Sequence, residues 1–464
     1  TKRRLQRFRT VSGSRKYTLN WVVIIFAFCS LTLGTNSSAS AQDSIRRGKV
    51  FAVHELQTDL TFWRNRLETK HPLIYLYRPK YKVDHFFDSL YFAIDHPMSE
   101  LEFFKHIAPV SSYLCDGHNS ILPSKLTIES IRSDRQLFPI EVEYFDDRLH
   151  VIRNVSANKE LLVGDEIKEI NGVDVLEIRK NLMSLTPHEG QNDQLAVGTI
   201  NDLFRFYYQL YYGFPDHYDI TIQYSDDSQK SLMVASQNLG EIRAFHEQRY
   251  PEDSIRSKHG IYYESFDEAK IGLLTITTFD AEAFKYNNQR FRSEVCRVFR
   301  EIKQSKTEQL IIDLRDNEGG NPDFVKVLLK HLFDHCFEQA KEFRIVEHPG
   351  QEDFNRRTEK KWYPWFGIGN FSPANNHFDG KLVVLHNENT FSAGVEVLSV
   401  LKKYNRATFI GTESGGNPTI MAGYINKTKW QLPNTSIQIS SGVHCTIFND
   451  LDQNTGRGII PDIE

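Results

Sequence analysis

The spacing of apolar residues predicts helices in the first part of the chain. Apolar residues recur there at three- and four-residue intervals, which is typical of an amphipathic helix, at Leu56, Leu60, Trp63 and Leu67. Further helices are predicted over about residues 83–94 and from Ser99 onward. We interpret residues 42–137 as an N-terminal helical region, a cap rather than a catalytic unit, which leads into a polar Asp-Gly-His segment.

Residues 138–240 have a strand-like pattern instead. Strands are predicted over 140–144 and 149–153, followed by a Gly-Asp-x-Ile-x-x-Ile-Asn-Gly run in which Asn-Gly favours a tight turn between strands. This run resembles part of the PDZ fold, so the region is predicted to be a PDZ-like domain. A long insertion, residues 187–215, carries an aromatic cluster that we expect to lie in a core or at a domain interface.

From residue 270 onward, short apolar strands alternate with helices. Buried strands are predicted over 271–275, 310–314 and 381–385, and the last two each lead through a turn into a helix. Apolar runs of this length between helices are typical of a layered α/β domain. We assign residues 241–464 to that domain.

The first 42 residues have the pattern of an export signal. Basic residues precede an apolar run over residues 21–33, and small polar residues then lead to Ala39-Ser40-Ala41. The apolar run is shorter than the roughly 20 residues of a membrane span. We predict that residues 1–41 are a signal peptide and that the protein is exported, either to the periplasm or out of the cell. An uncleaved segment is the alternative, and it is the only membrane association that we expect.

Composition narrows the function classes further. The 464 residues suggest two to four domains. With 56 basic and 60 acidic residues, the net charge of -4 gives no reason to expect nucleic acid as a partner. Apart from Cys29 the cysteines are scattered and form no CxxC pair, so we expect no metal and no cofactor. In an oxidising compartment they could form one or two disulfides or stay isolated thiols.

A serine follows the last buried strand at a position suited to nucleophilic chemistry. The segment LVVLHNENTFSAGVE, residues 382–396, places Ser392 at the start of a helix. Taken alone, a serine there more often caps its helix. The same position also lies in the positive field of the helix amides, whose N–H groups could hold an oxyanion when the serine attacks a carbonyl. Both interpretations stay open on this segment alone.

Two further segments carry chemistry that would complement a serine. Gly319 and Gly320 follow the strand over 310–314, and glycines reach backbone conformations that other residues cannot. Their N–H groups could help to form an oxyanion hole, although a plain strand-to-helix turn explains them as well. His118 lies in the short polar turn DGHNS, and histidine is the usual base for a serine nucleophile because its pKa lies near working pH.

Taken in order, seven segments resemble the tail-specific, or C-terminal-processing, serine peptidase family, which includes the tricorn core protease. They are DGHNS, LVGDEIKEINGV, IGLLTITTF, IIDLRDNEGG, NTFSAGVE, GTESGGNP and GRGIIPD. The resemblance extends over roughly residues 54–464. It implies an α/β catalytic domain of the ClpP/crotonase-like fold with an inserted PDZ-like domain, and a serine-type endopeptidase acting on proteins or peptides.

The resemblance also implies roles for single residues. Ser392 would be the nucleophile. In the C-terminal-processing branch a lysine serves as its base, but the matching residue here is Asn417. The chain therefore resembles the tricorn-like branch, in which the base is a histidine, here His118. Because histidine has an ordinary pKa near 6.5, we expect the rate to rise between about pH 6 and 7.5.

The oxyanion hole and the orienting carboxylate follow from the same resemblance. The oxyanion donors would be the backbone N–H groups of Ala393 and of Gly319 or Gly320. The tricorn-like pattern has a glutamate near the position of Thr455, which cannot do that work. The carboxylates that could replace it are Asp450, Asp452 and Glu413.

Three functions compete on this sequence. The leading one is a peptidase that acts through an acyl-enzyme. A protein of the same fold that only binds peptides or hydrophobic ligands is the second, although the retained Ser392 and His118 argue against it. An esterase that uses the same pair on small substrates is the third, because the acyl-transfer machinery is shared.

Overall fold

A computed structural model describes residues 49–224, 226–251, 260–345, 367–424, 429–448 and 456–464. The predicted signal peptide lies outside the described residues. Within the described residues, no helix is both long and apolar enough to cross a membrane.

The first described segment is helical, as its apolar spacing predicts. Its elements are β1 (Val50–Phe51), α1 (Val53–Lys70), α2 (Lys80–Ala93), β2 (Met98–Ser99), α3 (Glu100–Ile107), α4 (Pro109–Tyr113), β3 (Ser120–Leu122) and α5 (Lys125–Asp134). All four residues of the apolar stripe on α1 are buried. Ser99 caps α3 by accepting a hydrogen bond from the N–H of Glu102.

An antiparallel sheet follows, in the region that the sequence predicts to be strand-rich. Its elements are β4 (Ile140–Phe145), β5 (Arg148–Asn154), β6 (Glu166–Ile170), β7 (Val173–Asp174), α6 (Val175–Met183), α7 (Gln194–Tyr212), β8 (His217–Gln223) and β9 (Gln229–Ala235). The strand order is β4-β5-β6-β8-β9, with β7 paired to β6. Asn171 and Gly172 both have positive φ, 54° and 73°, as the predicted tight turn requires.

The insertion over residues 187–215 is largely a helix rather than a loop. Most of it is α7, and Phe204, Phe206, Tyr207 and Tyr208 on this helix are buried. The aromatic cluster is therefore core, as expected. The helix also touches the serine-bearing part of the chain, because Asp202 accepts a hydrogen bond from the side-chain amide of Asn389.

A parallel sheet covered by helices lies in the next part of the chain. The elements of this part are α8 (Leu239–Arg249), β10 (Ile261–Phe266), β11 (Ile271–Ile276), α9 (Ala281–Tyr286), α10 (Phe291–Gln304), β12 (Gln309–Asp313), α11 (Pro322–Leu329), β13 (Phe337–Glu338), β14 (Glu342–Ile345), β15 (Asn370–Phe371), β16 (Lys381–His386), α12 (Ala393–Lys403) and β17 (Thr408–Gly411), of which β13, β14 and β15 lie outside the sheet. The strand order is β10-β11-β12-β16-β17, and only β10 is antiparallel to its neighbour. The carboxyl ends of β12 and β16 therefore lie side by side, which brings together the turns that follow them.

The last strands return to the helical region. They are β18 (Ile420–Gly423), β19 (Lys429–Gln431), β20 (Gln438–Ser440) and β21 (His444–Ile447). β20 pairs with β3, which begins two residues after His118. One continuous apolar core extends from Phe51 to Ile242 and includes Leu432, Ile437 and Ile439. It crosses the predicted boundary at residue 137, and the division into domains stays a prediction.

The cysteines outside the predicted signal peptide are free thiols. Cys115 and Cys445 are buried, whereas Cys296 and Cys336 are exposed. Of the two alternatives that the sequence leaves open, the structure has the isolated thiols.

Asp59 joins the first helix to the β19–β20 hairpin and so supports the strand beside His118. This fully buried carboxylate accepts hydrogen bonds from the backbone N–H groups and the side chains of Asn434 and Thr435. Replacing Asp59 with Ala leaves those donors unpaired, so we expect the free energy of unfolding to fall by about 2–3 kcal/mol in chemical denaturation. Thr58→Ala, an exposed neighbour on the same helix, is the control and should change it by less than about 0.5 kcal/mol. Equal stability of the two variants would contradict this role.

Candidate active site

Ser392 sits in a strained turn between β16 and α12. Its φ and ψ are 50° and -121°, and its side chain makes no capping hydrogen bond. The capping interpretation is therefore wrong. Two hydrogen bonds join this turn to the turn after β12. The Thr390 hydroxyl donates to Leu314 O (2.9 Å), and the Phe391 N–H donates to Asn317 O (3.0 Å). A backbone conformation that is costly for serine persists only where its surroundings impose it, which is common at reactive sites.

His118 lies against Ser392. The distance from His118 Nε2 to Ser392 Oγ is 3.2 Å, although 274 positions separate the residues. The backbone of His118 is fixed at both ends: its N–H donates to Asp116 Oδ1 (2.7 Å), and its carbonyl accepts from the Tyr424 hydroxyl (2.8 Å). Its ring packs against the rings of Phe391 and Tyr424, with centroids 4.7 and 5.2 Å away. The predicted nucleophile and base are thus brought together.

Two buried carboxyl groups lie behind the histidine. One oxygen each of Asp116 and Glu189 and one ring nitrogen of His118 lie within 4.8 Å of one another. Glu189 accepts from the Tyr77 hydroxyl (2.7 Å) and from the Gly117 N–H (3.1 Å). Asp116 Oδ2 lies 3.4 Å from Nε2 of the buried His71.

The pKa values of these two carboxyl groups are shifted in opposite directions. Burial, together with the charge of Asp116, raises the pKa of Glu189 well above its usual value. Burial also acts to raise the pKa of Asp116, but the opposing effects of His71 and His118 outweigh it and lower the pKa. Asp116, beside the imidazole of His118, is therefore the group of the pair that ionises more readily.

Burial also changes the expected pH behaviour of the base. His118 is only 2% exposed, and desolvation lowers its pKa to about 4. The charge of His71 also lowers this pKa, whereas the charge of Asp116 raises it. The imidazole is then neutral over the whole range in which the sequence predicts its titration. The expected rise between pH 6 and 7.5 moves to more acidic pH for this reason.

Asn417 lies behind this carboxyl pocket. Its amide donates to the hydroxyl of Tyr77 (2.8 Å), which in turn donates to Glu189. Its side-chain oxygen accepts the N–H of Thr419. The residue at the position of the family's lysine thus supports the network around His118.

The glycine pair after β12 comes close to the serine. A Cβ on Gly319 would lie 2.6 Å from Ala393 N and 2.7 Å from Ser392 Cβ, so no larger residue fits there. The N–H of Gly319 donates to Asn317 Oδ1 (2.9 Å). The N–H groups of Gly320 and Ala393 have no hydrogen-bond acceptor among the described residues. Of the predicted oxyanion donors, these two are the ones left free.

The three carboxylates predicted to orient the base are placed as follows. Asp450 and Asp452 lie outside the described residues. Glu413 pairs with the guanidinium of Arg457 and accepts the N–H of Gly458 (2.7 Å). Both of its oxygens are therefore engaged in closing the turn before the last segment.

The sequence did not single out Asp116, Glu189 and Tyr77 as site residues. Asp116 stands inside the quoted DGHNS segment, and its place two residues before the histidine was the one available signal. Glu189 lies in a polar loop between α6 and α7, and Tyr77 lies between α1 and α2. Nothing in their local sequence shows that the fold buries them next to each other.

A cleft of about 460 Å³ opens in front of the pair. Ser392, His118, Gly320 and Ala393 all line it, together with side chains from α7 and from the β18 and β21 strands. A nucleophile, its base and two free N–H donors thus face one space large enough for a few residues of a peptide.

Comparisons with known proteins agree with this geometry. Residues 270–464 match the model of peptidase family S41. The solved structure of mature CPAF complexed with lactacystin is similar to the chain at 17% identity with a TM-score of 0.61, covering 89% of this chain and 94% of that one. Another structure of mature CPAF is 18% identical with a TM-score of 0.60, covering 89% and 92%. At these identities the likeness shows the fold alone. No curated protein matches the chain.

The pKa of His118 can be measured directly. In ¹³C-histidine NMR, with the spectrum of His118→Gln used to assign the signal, His118 should stay neutral from pH 8 to about pH 5 and titrate near pH 4. Asp116→Asn removes the negative charge that raises this pKa, so the midpoint should move to still lower pH. A midpoint between pH 6 and 7 in the unaltered protein, or an upward shift in Asp116→Asn, would contradict this electrostatic account.

Proposed function

We propose that this serine-type hydrolase of proteins or peptides, whose residues 270–464 match peptidase family S41, cleaves peptide bonds through an acyl-enzyme on Ser392. His118 is the general base. The observation that carries this proposal is the 3.2 Å separation of His118 Nε2 and Ser392 Oγ at a serine that caps no helix.

The pair can perform both halves of the reaction. Ser392 Oγ attacks the scissile carbonyl carbon while Nε2 of His118 accepts the hydroxyl proton. The imidazolium then gives that proton to the leaving amine as the carbon–nitrogen bond breaks, which leaves an ester on Ser392. Water attacks this ester with His118 again as base, and the carboxyl product departs. The low pKa of His118 keeps the imidazole in its proton-accepting form at neutral pH.

We assign the orienting role, which the sequence leaves open, to Asp116 and Glu189. Asp116 fixes the backbone of His118, and its negative charge favours the imidazolium that forms during the reaction. Glu189 fixes the neighbouring Gly117 N–H and is itself held by Tyr77. In this arrangement the negative charge beside the imidazolium lies mainly on Asp116, whose pKa is lowered, rather than on Glu189, whose pKa is raised.

The oxyanion would be held by the N–H groups of Ala393 and Gly320. Both are free of other acceptors, whereas the N–H of Gly319 is already bound to Asn317. Ala393 is the first residue of α12, so its amide adds the positive end of the helix dipole to the developing charge. Gly319 contributes by having no side chain between the two donors.

The proposal also covers the parts of the fold. We propose that residues 241–464 have a ClpP/crotonase-like fold, that residues 138–240 form a PDZ-like domain and that the helices before them are a cap. The antiparallel sheet with its Asn171-Gly172 turn supports the PDZ-like assignment. Helix α7 would couple that sheet to the catalytic turn, since it contributes Asn201 to β4 and Asp202 to Asn389.

The nucleophile can be tested with a fluorophosphonate probe, which labels activated serines. We expect one labelled site, Ser392, and loss of both labelling and peptide hydrolysis by several orders of magnitude in Ser392→Ala and His118→Ala. Ser399→Ala is the control, because this buried serine lies two turns further along the same helix and donates to Pro418 O. It should label normally after a stability loss of about 1 kcal/mol. Undiminished hydrolysis in Ser392→Ala would refute the proposal.

We propose that the protein is exported, because its first 41 residues contain a basic segment, then an apolar run, then Ala39-Ser40-Ala41. N-terminal sequencing of the exported protein should begin at Gln42. Ala41→Arg places a large charge at the cleavage site, so the precursor should then accumulate uncut. Recovery of the unaltered protein in the membrane fraction with residues 21–33 intact would show an anchor instead.

A further inference from the structure

A buried carboxyl group lies in the catalytic cleft one helical turn beyond the nucleophile. Glu396 lies in the first turn of α12, four residues after Ser392, which directly precedes the helix. It is 4% exposed, and it lines the cleft that Ser392 and His118 share. The mechanism proposed for Ser392 and His118 does not use this group.

The hydrogen bonds of Glu396 leave one of its oxygens for a ligand. Oε1 accepts from the side-chain amide of the fully buried Gln339 at 2.6 Å. The same amide also donates to Pro322 O (3.1 Å), which holds the carboxyl group in place. Oε2 has no hydrogen-bond donor among the described residues. Because this oxygen has no donor from the protein, a donor on a bound molecule can reach it.

The wall around this carboxyl group is apolar. Phe391, Met421 and Phe448 line the cleft and pack together with Leu195 and Ala340 in a small separate cluster. An apolar wall that ends in a carboxyl group suits a long side chain with an aliphatic stem and a cationic head. Lysine and arginine have that form.

The charged groups of the cleft also favour a cationic side chain. The other carboxyl groups of the cleft are Asp202, Asp280, Asp316 and Glu318, and no lysine or arginine lines it among the described residues. Burial raises the pKa of Glu396 to about 8, although the hydrogen bond from Gln339 acts to lower it. The carboxyl group is therefore mainly uncharged at pH 7. An entering ammonium or guanidinium favours the ionised form and gains a charge-assisted hydrogen bond.

We propose that Glu396 selects substrates with lysine or arginine on the amino side of the scissile bond. This inference rests on the proposed function, because that residue's carbonyl is the one Ser392 attacks. The aliphatic stem lies along Met421 and Phe448, and the cationic head reaches Oε2 of Glu396. Glu396 is thus a specificity-determining residue rather than a participant in acyl transfer.

The test compares quenched fluorescent peptides that differ only at this substrate position, with lysine, arginine, norleucine or leucine. Norleucine keeps the stem of lysine but lacks its charge. We expect kcat/KM to be higher for lysine and arginine than for norleucine in the unaltered enzyme. Glu396→Gln keeps the side-chain volume and should reduce the lysine-to-norleucine ratio by roughly 10- to 100-fold while norleucine cleavage stays within about threefold.

Two controls make the outcomes distinguishable. Glu318→Gln removes an exposed carboxylate of the same cleft and should change the ratio by less than about fivefold. Melting temperatures of the variants show whether each is folded. A preference for norleucine or leucine in the unaltered enzyme, or an unchanged ratio in folded Glu396→Gln, overturns the assignment to Glu396 while Ser392 remains the nucleophile. Cleavage of none of the peptides, without fluorophosphonate labelling, would refute the proposed function itself.

Discussion

The contact between His118 and Ser392 is the constraint on which the rest of the site depends. The two residues are 274 positions apart in the chain. The 3.2 Å distance between His118 Nε2 and Ser392 Oγ therefore requires that several helices and strands keep fixed positions relative to one another. β3 holds the histidine side by pairing with β20, and the hairpin of β20 is in turn bound to α1 through Asp59. β12 and β16 hold the serine side by pairing in parallel, so the turns after them meet. A small shift of any of these elements would separate nucleophile and base, and such misplacement is costly in catalysis.

The electrostatic design around the base follows from how deeply the fold buries it. Desolvation keeps His118 neutral near pH 7, and the lowered pKa of Asp116 favours a negative charge close to it. In the proposed mechanism, this charge favours the imidazolium that forms when the serine proton arrives. Tyr77 and Asn417 extend the network through Glu189. Asp116 Oδ2 and His118 Nδ1 have no hydrogen-bond partner among the described residues, so the charge of Asp116 acts on the imidazole through space.

The cleft combines an apolar wall with carboxyl groups, which separates catalysis from recognition. The groups proposed to move protons and hold the oxyanion come from the turns after β12 and β16 and from the loop before β3. The residues proposed for recognition lie further along α12 and on the β18 and β21 strands, among them Glu396 and Met421. Both sets line one cleft.

Local sequence determined the elements, since these depend on short-range patterns. Such patterns predicted the stripe on α1, the Asn171-Gly172 turn and the buried strands before Gly319 and Ser392. The pair Ser392 and His118 was predicted from the resemblance of seven segments, taken in order, to a known family. Tertiary structure decided what depends on distance in space. It buries Asp116 and Glu189 together and lowers the pKa of His118 to about 4. It also gives Ser392 a strained φ of 50° and no capping hydrogen bond, where a helix cap was one of the two interpretations of the sequence. Desolvation and charge proximity arise only when distant segments pack against each other, so no pattern of neighbouring residues could have revealed them.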